Sequence, residues 1–344
     1  PSENYDGAAS IRYVVVDPLV GTLNSTPSTI TIPITSVNDA AVITPANEDL
    51  IFTEDGAGVS IGNRLTISDV DSNQLSGASV AITNVKTGDL LSSGATHPLI
   101  NTTYSDGVLT LTGTADISAY QYILSKVTYS NSSDAPDVSP RNIDLTITDI
   151  AASGTAAVAT AVRTITIEAI NDAPVVSMDS QAIAYTEGTG AVAILTNQNA
   201  SLIDADSSLV SGASVGISSG YRAGEDLLST TALPDGISAN FDQATGVLTF
   251  TGNATTADYT AAIESVTYEN TSDSPAANLR TLHLTLTDDQ SATSTSVSVA
   301  LNITATDDAP DIDYNGLLSG GDSSSSAFVK SLYPNGIAIA KNAI

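Results

Sequence analysis

Four kinds of oxygen-bearing side chain recur at matched places along this chain, and together they could hold a hard cation. The first is an amide and acid pair, Asn38 and Asp39, repeated as Asn171 and Asp172 and again as Asp307 and Asp308. The second is a glutamate about fifteen residues later, Glu54 or Glu187. The third is an alternating pair, Asp69 and Asp71 or Asp204 and Asp206, followed by Asn73 or Ser208. The fourth is an aspartate, Asp17, Asp149 or Asp288, that ends an apolar-alternating run ahead of the next boundary. Like charges gathered at one place repel unless a cation neutralises them. Ca²⁺ accepts six to eight oxygen ligands in flexible geometry, from carboxylates, amides and backbone carbonyls. The same acids could instead lie in solvated turns and only keep the surface soluble.

These groups need a scaffold that brings strand ends and linkers together. Residues 39–172 align with residues 172–308 in order and spacing. Thr53 and Glu54 match Thr186 and Glu187, 133 positions on, and Tyr120, Val127, Arg141 and Asp149 match Tyr259, Val266, Arg280 and Asp288, 139 positions on. The second copy therefore carries extra residues near Tyr221–Asp235. A period of this length is a domain and not a solenoid unit. The chain reads as the closing part of one repeat (1–38), two complete repeats (39–172 and 173–309) and the opening part of another (310–344). Within each copy the pattern has period two: Ile143, Leu145 and Ile147 alternate with polar residues, as do Leu282, Leu284 and Leu286. Asp106-Gly107, Asp235-Gly236 and Thr245-Gly246 mark turns. The fold class is all-β, tandem antiparallel β-sandwiches joined end to end, whose loops gather at the two ends. The exception is one short helical turn in Ala115–Ser125 and in Ala257–Ser265, capped by Asp116 or Asp258.

Bulk composition narrows the function. Ten Lys and Arg stand against 38 Asp and Glu, a net charge of −28, which repels nucleic acid and anionic membranes. Absent cysteine excludes disulfides and thiolate chemistry and suits bacterial secretion. No apolar stretch approaches the roughly 18 residues of a membrane helix, and the first residues are not a signal peptide, so an export signal is expected elsewhere in a longer precursor.

Other motifs carry less. Asp69, Asp71 and Asn73 begin like an EF-hand loop, but Gln74 stands where that loop needs glycine and Val80 where it needs glutamate. Gly58-Val59-Ser60-Ile61-Gly62 matches a nucleophile elbow, yet lies in a β-rich stretch, and Ala193 replaces Ser60 in the second copy. His97 and His283 occupy unrelated positions, so no enzyme is expected. Tyr120, Tyr129, Tyr259 and Tyr268 suit a sandwich core, or alternatively a sugar-stacking surface.

The recurring Asn-Asp-Ala-Pro boundary, Thr186-Glu187-Gly188, Asp204-Ala205-Asp206-Ser207 and Ser265-Val266-Thr267-Tyr268 resemble the cadherin-like repeats of giant bacterial adhesins exported by type I secretion. The resemblance covers residues 39–309. It implies calcium at domain junctions: Glu54, Asn171, Asp172, Asp204 and Asp206 at one, and Asn38, Asp39, Asp69 and Asp71 at another. Ser36, Ala169 and Ala305 replace an acid usual in such linkers, which implies fewer ions, with Asp149 as a candidate substitute. The function so implied is a calcium-stiffened extender on the bacterial surface, serving attachment or biofilm cohesion. Its partners are neighbouring repeats, like chains or surface polysaccharide. The alternative is an extracellular filament or surface-layer subunit completed by strand exchange.

Overall fold

The computed structural model describes residues 7–19, 24–34, 37–150, 155–178, 181–195 and 200–308. Ser36 and the whole of the last segment (310–344) lie outside these residues. The chain divides into two units, Pro1–Asn171 and Asp172–Ile344.

In the first unit β1 (Gly7–Tyr13) and β2 (Ser28–Ile34) pair with each other in a separate two-stranded sheet. They are followed by β3 (Val42–Thr44), β4 (Leu50–Thr53), β5 (Val59–Ser60), β6 (Thr66–Ser68), β7 (Gln74–Ile82), β8 (Asp89–Ser93), β9 (Asn101–Ser105) and β10 (Val108–Asp116). A helix, α1 (Ile117–Leu124), leads to β11 (Val127–Asn131), β12 (Arg141–Asp149) and β13 (Val158–Glu168). A six-stranded sheet in the order β4-β13-β12-β7-β10-β9 faces a three-stranded sheet, β5-β11-β8, while β3 pairs with β6. Alternation sets the faces: Ile143, Leu145 and Ile147 of β12 point inward beside Ile165 and Ile167 of β13. Phe52 meets Tyr129 edge to face, centroids 5.4 Å apart, between the sheets.

The second unit repeats this plan with β14 (Val175–Met178), β15 (Ile183–Thr186), β16 (Val192–Ala193), β17 (Ala200–Ile203), β18 (Leu209–Ser219), β19 (Asp226–Thr230), β20 (Ser238–Asp242) and β21 (Val247–Thr255). Then come α2 (Thr256–Glu264), β22 (Val266–Asn270), β23 (Arg280–Asp288) and β24 (Val297–Thr304). The sheets are β15-β24-β23-β18-β21-β20 and β16-β22-β19, with β14 paired to β17. Tyr185 and Tyr268 take the places of Phe52 and Tyr129, at 5.2 Å.

Two details differ from expectation. The antiparallel rule has one exception per repeat, because β4 runs parallel to β13 and β15 parallel to β24. These are the first and last strands of the large sheet, so no tight turn has to join them. The helices run to eight and nine residues, and the side-chain capping differs from expectation. Asp116 is the N-cap of α1 but makes no side-chain capping bond. In α2 the cap is Thr255, which forms a reciprocal capping box with Asp258 at the third helical position. The Asp106-Gly107 turn, with φ of 50° and 79° at its two residues, joins β9 to β10 as a left-handed hairpin turn.

Candidate functional site

At the start of the first repeat, the linker is tied to the ends of two strands. The Asn38 side-chain amide donates to Asp149 Oδ2 at 2.9 Å, and the Asp39 N–H donates to Asp71 Oδ2 at 2.9 Å. Asp69 Oδ1 accepts the N–H groups of Asp71 and Ser72 at 3.0 and 3.2 Å, closing an Asx-type turn. That leaves Asn38 Oδ1 and Asp69 Oδ2 buried with no donor. Burial, with the Asp71 carboxylate beside it, pushes Asp69 above the usual carboxylate range. Asp71 is held below that range by the Asp39 N–H and by its contact with Asp69.

The second repeat builds the same turn. Asp172 N–H donates to Asp206 Oδ2 at 3.2 Å, and Asp204 Oδ1 accepts from the N–H groups of Asp206 and Ser207 at 3.3 and 3.0 Å. Asp204 Oδ2 is again buried with no donor, and burial followed by contact with Asp206 raises its pKa. Asp288 accepts the Gln290 and Ala292 N–H groups, each at 2.8 Å, and neighbouring Asp289 accepts the Ser207 hydroxyl at 2.8 Å.

The glutamates stand at the opposite end of each sandwich. Glu54 Oε2 accepts the Ile170 N–H at 2.8 Å, just before Asn171, which is half-buried. Glu187 Oε2 accepts the Thr306 N–H at 2.8 Å, and its Oε1 is buried with no donor. Asp307 and Asp308 are exposed. Asp17 accepts the Leu19 N–H at 2.8 Å in a local turn.

The fold therefore sorts the predicted residues differently from the linear order. Asp149, expected to substitute at the boundary that follows it, belongs instead to the boundary that precedes its own repeat. β13 starts beside Asp149, at the Thr148–Val158 pair, and runs to Glu168, whose carbonyl receives the Glu54 N–H. The two acids are thus roughly 33 Å apart along the strand. Among the described residues no three acidic or histidine side chains converge into a metal cluster by themselves. The donor set is nonetheless wholly oxygen, and buried acceptor atoms lacking donors recur at the same turn in both repeats, which fits a hard cation.

Other candidates are displaced. Tyr120, Tyr129, Tyr259 and Tyr268 are all 0% exposed, so they cannot form a sugar-stacking face. Ser60 lies in β5, paired with Thr128, with its hydroxyl on the Ser125 carbonyl, and is on no elbow. His97 and His283 lie in different units.

A second polar constellation lies between the sheets of each repeat. The Asp89 side chain, fully buried, accepts Arg141 Nε at 2.7 Å, the Tyr129 hydroxyl at 2.5 Å and Asn131 Nδ2 at 2.8 Å. Asp226 does the same with Arg280 Nε at 2.9 Å, Tyr268 at 2.5 Å and Asn270 at 2.7 Å. Burial alone would raise the Asp89 carboxyl, but the Arg141 guanidinium and the Tyr129 hydroxyl outweigh it and hold it below the usual range. Each network joins β8 and β11, or β19 and β22, to the first residue of β12 or β23 in the facing sheet. It links the two sheets by polar contacts, a task that a disulfide performs in immunoglobulin domains. The matched Arg141 and Arg280 were a visible signal. Their partners, 52 and 54 residues away, were not.

No known family profile matches the sequence, and no curated protein does. Among solved structures, the chain is similar to Drosophila N-cadherin EC1-4 at 12% identity, over 86% of this chain and 58% of that one, with a TM-score of 0.23. It is similar to mouse Protocadherin-24 EC1-3 at 11% identity, over 86% and 80% of the two chains, with a TM-score of 0.29. It is also similar to the fibronectin(III)-like modules of Clostridium thermocellum CbhA at 11% identity, over 77% and 94%, with a TM-score of 0.21. Similarity at this level carries nothing about binding or activity.

Proposed function

We propose that these repeats are calcium-stiffened extenders of a bacterial cell-surface adhesin, exported by type I secretion and serving attachment or biofilm cohesion. The observation that carries the reading is the pair of buried carboxylate oxygens, Asp69 Oδ2 and Asp204 Oδ2, left without donors at the same turn of both repeats. Asn38, Asp39, Asp69 and Asp71 would hold an ion in the first repeat, and Asp172, Asp204 and Asp206 in the second, with carbonyls and water completing the shell. Bound there, Ca²⁺ supplies positive charge and fixed coordination to acids that otherwise repel. Asn38 and Asp39 are linker residues, so holding them on the body of the repeat removes hinge freedom from a short connection. Absent cysteine and the −28 charge suit an exported, soluble surface protein.

Calorimetry tests the reading. Restoring free Ca²⁺ to a hundredfold excess over its dissociation constant, after chelation, should raise the melting temperature by about 10 °C. Mg²⁺ at equal ionic strength should do much less, because it dehydrates reluctantly and demands stricter geometry. Equal effects of the two cations would reduce the acids to surface charge.

Asp69→Asn gives a sharper result because its sign reverses. In chelator the substitution should raise the melting temperature by about 2–4 °C, since it removes one of two touching carboxylates from a half-buried site. In calcium it should lower it, since a charged ligand is lost. Thermal denaturation of the variant under both conditions, with a change of the same sign in each, would refute the role of Asp69.

The filament reading is favoured by one observation. The β1–β2 hairpin exposes apolar residues along both strands, among them Ile11 (53%), Tyr13 (44%) and Ile30 (52%). A strand from a like chain could cover them. Sedimentation velocity across a range of concentrations decides: growth of polymers favours this reading, and a constant monomer favours the extender.

A further inference from the structure

We propose that the two repeats give way to tension in a fixed order, the second before the first, with Arg163 as the residue that sets the order. This inference rests on the extender reading only in supposing that the repeats are pulled at all, and it does not depend on calcium.

The pairing of first and last strands decides how a pull acts on each repeat. In the first, Asn38 is bonded to Asp149, and Glu168 closes β13 roughly 33 Å away, so the chain enters at one end and leaves at the other. β4 and β13 run in the same direction, Leu50 beside Ile165 and Thr53 beside Glu168. A pull on the two ends therefore slides β4 along β13 and strains their ladder bonds together, whereas an antiparallel pair opened from one end loses them one at a time. β15 and β24 repeat the geometry, Ile183 beside Leu301 and Thr186 beside Thr304. Each ladder is continued by one further bond, from the Glu54 N–H to the Glu168 carbonyl at 2.9 Å and from the Glu187 N–H to the Thr304 carbonyl at 3.0 Å. The two ladders match, so they do not themselves set an order.

What differs is the fastening at either end of the ladder. Arg163 points inward from β13 and is 6% exposed. Its Nη2 donates to the Glu48 carbonyl at 2.7 Å, just ahead of β4 on the path by which tension reaches that strand. Its Nη1 donates to the Ile61 carbonyl at 2.8 Å, next to β5 in the facing sheet. One guanidinium thus ties the pulled segment both to β13 and to the second layer. Bonds from a charged donor are roughly twice as strong as neutral ones, and main-chain acceptors cannot swing away. The nearby Glu48 carboxylate offsets part of the cost of burying the charge. At the other end of the ladder the Thr53 hydroxyl donates to Glu168 Oε2 at 3.1 Å. In the second repeat the register puts Val299 in the place of Arg163 and Thr304 in that of Glu168. Val299 is packed in the core and has nothing to donate.

The test is single-molecule force spectroscopy on the full chain held by its two ends, in chelator and again in excess Ca²⁺. A run of about 20 Gly and Ser residues inserted after Leu233, which is exposed, lengthens the release of the second repeat by about 70 Å and tells the two events apart. At constant force the second repeat should unfold at least about tenfold faster than the first, because forced unfolding follows the unfolding barrier. Arg163→Val, which copies the second repeat's own residue, should bring the two rates to within about threefold. Arg163→Met, which keeps an unbranched apolar stem and loses the donors, should do the same and guards against misfolding of the first variant. Neither should alter the rate of the second repeat. Equal rates in the native chain, earlier release of the first repeat, or a difference that survives both substitutions would overturn the proposal. The order should be the same in both solutions. A rate that calcium leaves unchanged in both repeats would count against the ion sites and not against Arg163, so the two readings fail separately.

Discussion

Replacing Asp226 with alanine should lower the melting temperature of the second repeat by about 10–20 °C. Asp226 is fully buried and accepts Arg280, Tyr268 and Asn270 side chains together with the Arg222 N–H. Its removal strands a guanidinium that is 0% exposed. Breaking one side of a buried pair typically costs about 3–5 kcal/mol, and each kcal/mol moves the midpoint of a domain this size by about 3–5 °C. The loss should stay within the second repeat, so calorimetry of the whole chain should show one transition displaced. Asp226→Ala combined with Arg280→Met should recover much of the loss, because no buried charge then remains uncompensated. A shift under about 2 °C for the single variant would mean that the network does not hold the sheets together.

The matched acid of the first repeat adds a pH dependence. Asp89 has a folded pKa below its ordinary value of 3.8. Its contribution is therefore complete above that ordinary value and is lost as pH falls through the depressed folded value. Asp89→Ala should flatten the acid limb of the first repeat's stability profile.

Gly252→Ala should be comparably damaging, by about 3–5 kcal/mol, through the backbone alone. Gly252 has φ of +132°, in a region that residues with a Cβ scarcely enter. A Cβ there would stand 2.0 Å from the Gly236 carbonyl oxygen, which belongs to the main chain and cannot swing aside. The residue sits where β21 skips a register against β18, and its own carbonyl accepts the Tyr259 hydroxyl at 2.6 Å. Gly113 repeats the arrangement, with φ of +129°, a Cβ contact of 2.1 Å to the Leu99 carbonyl oxygen and the Tyr120 hydroxyl on its own carbonyl at 2.5 Å. Gly190 is the control. Its φ is +76° with nothing within 4 Å of a Cβ, so alanine there should cost only about 1 kcal/mol. Equal midpoints in denaturant for the alanine variants of Gly252 and Gly190 would show that the carbonyl contact is relieved by relaxation.

Class and repetition could be read from local pattern. Period-two alternation in Ile143, Leu145 and Ile147 requires a strand with one buried face whatever the rest of the chain does, and Asp106-Gly107 requires a left-handed turn between strands. The matched aspartates also mark a shared turn, because an Asx turn is closed by residues two and three positions away. Contacts across the sandwich were beyond that reach. The antiparallel pairing of β12 with β13 places Asp149 at the end of the repeat far from the boundary it precedes in sequence, beside the one it follows. Asp89 finds Arg141, and Arg163 finds Glu48 and Ile61, only because strands far apart in sequence are stacked or paired. Tyr129 and Tyr268 become core residues because each hydroxyl meets a buried carboxylate inside the sandwich, a partner that no spacing along the chain specifies.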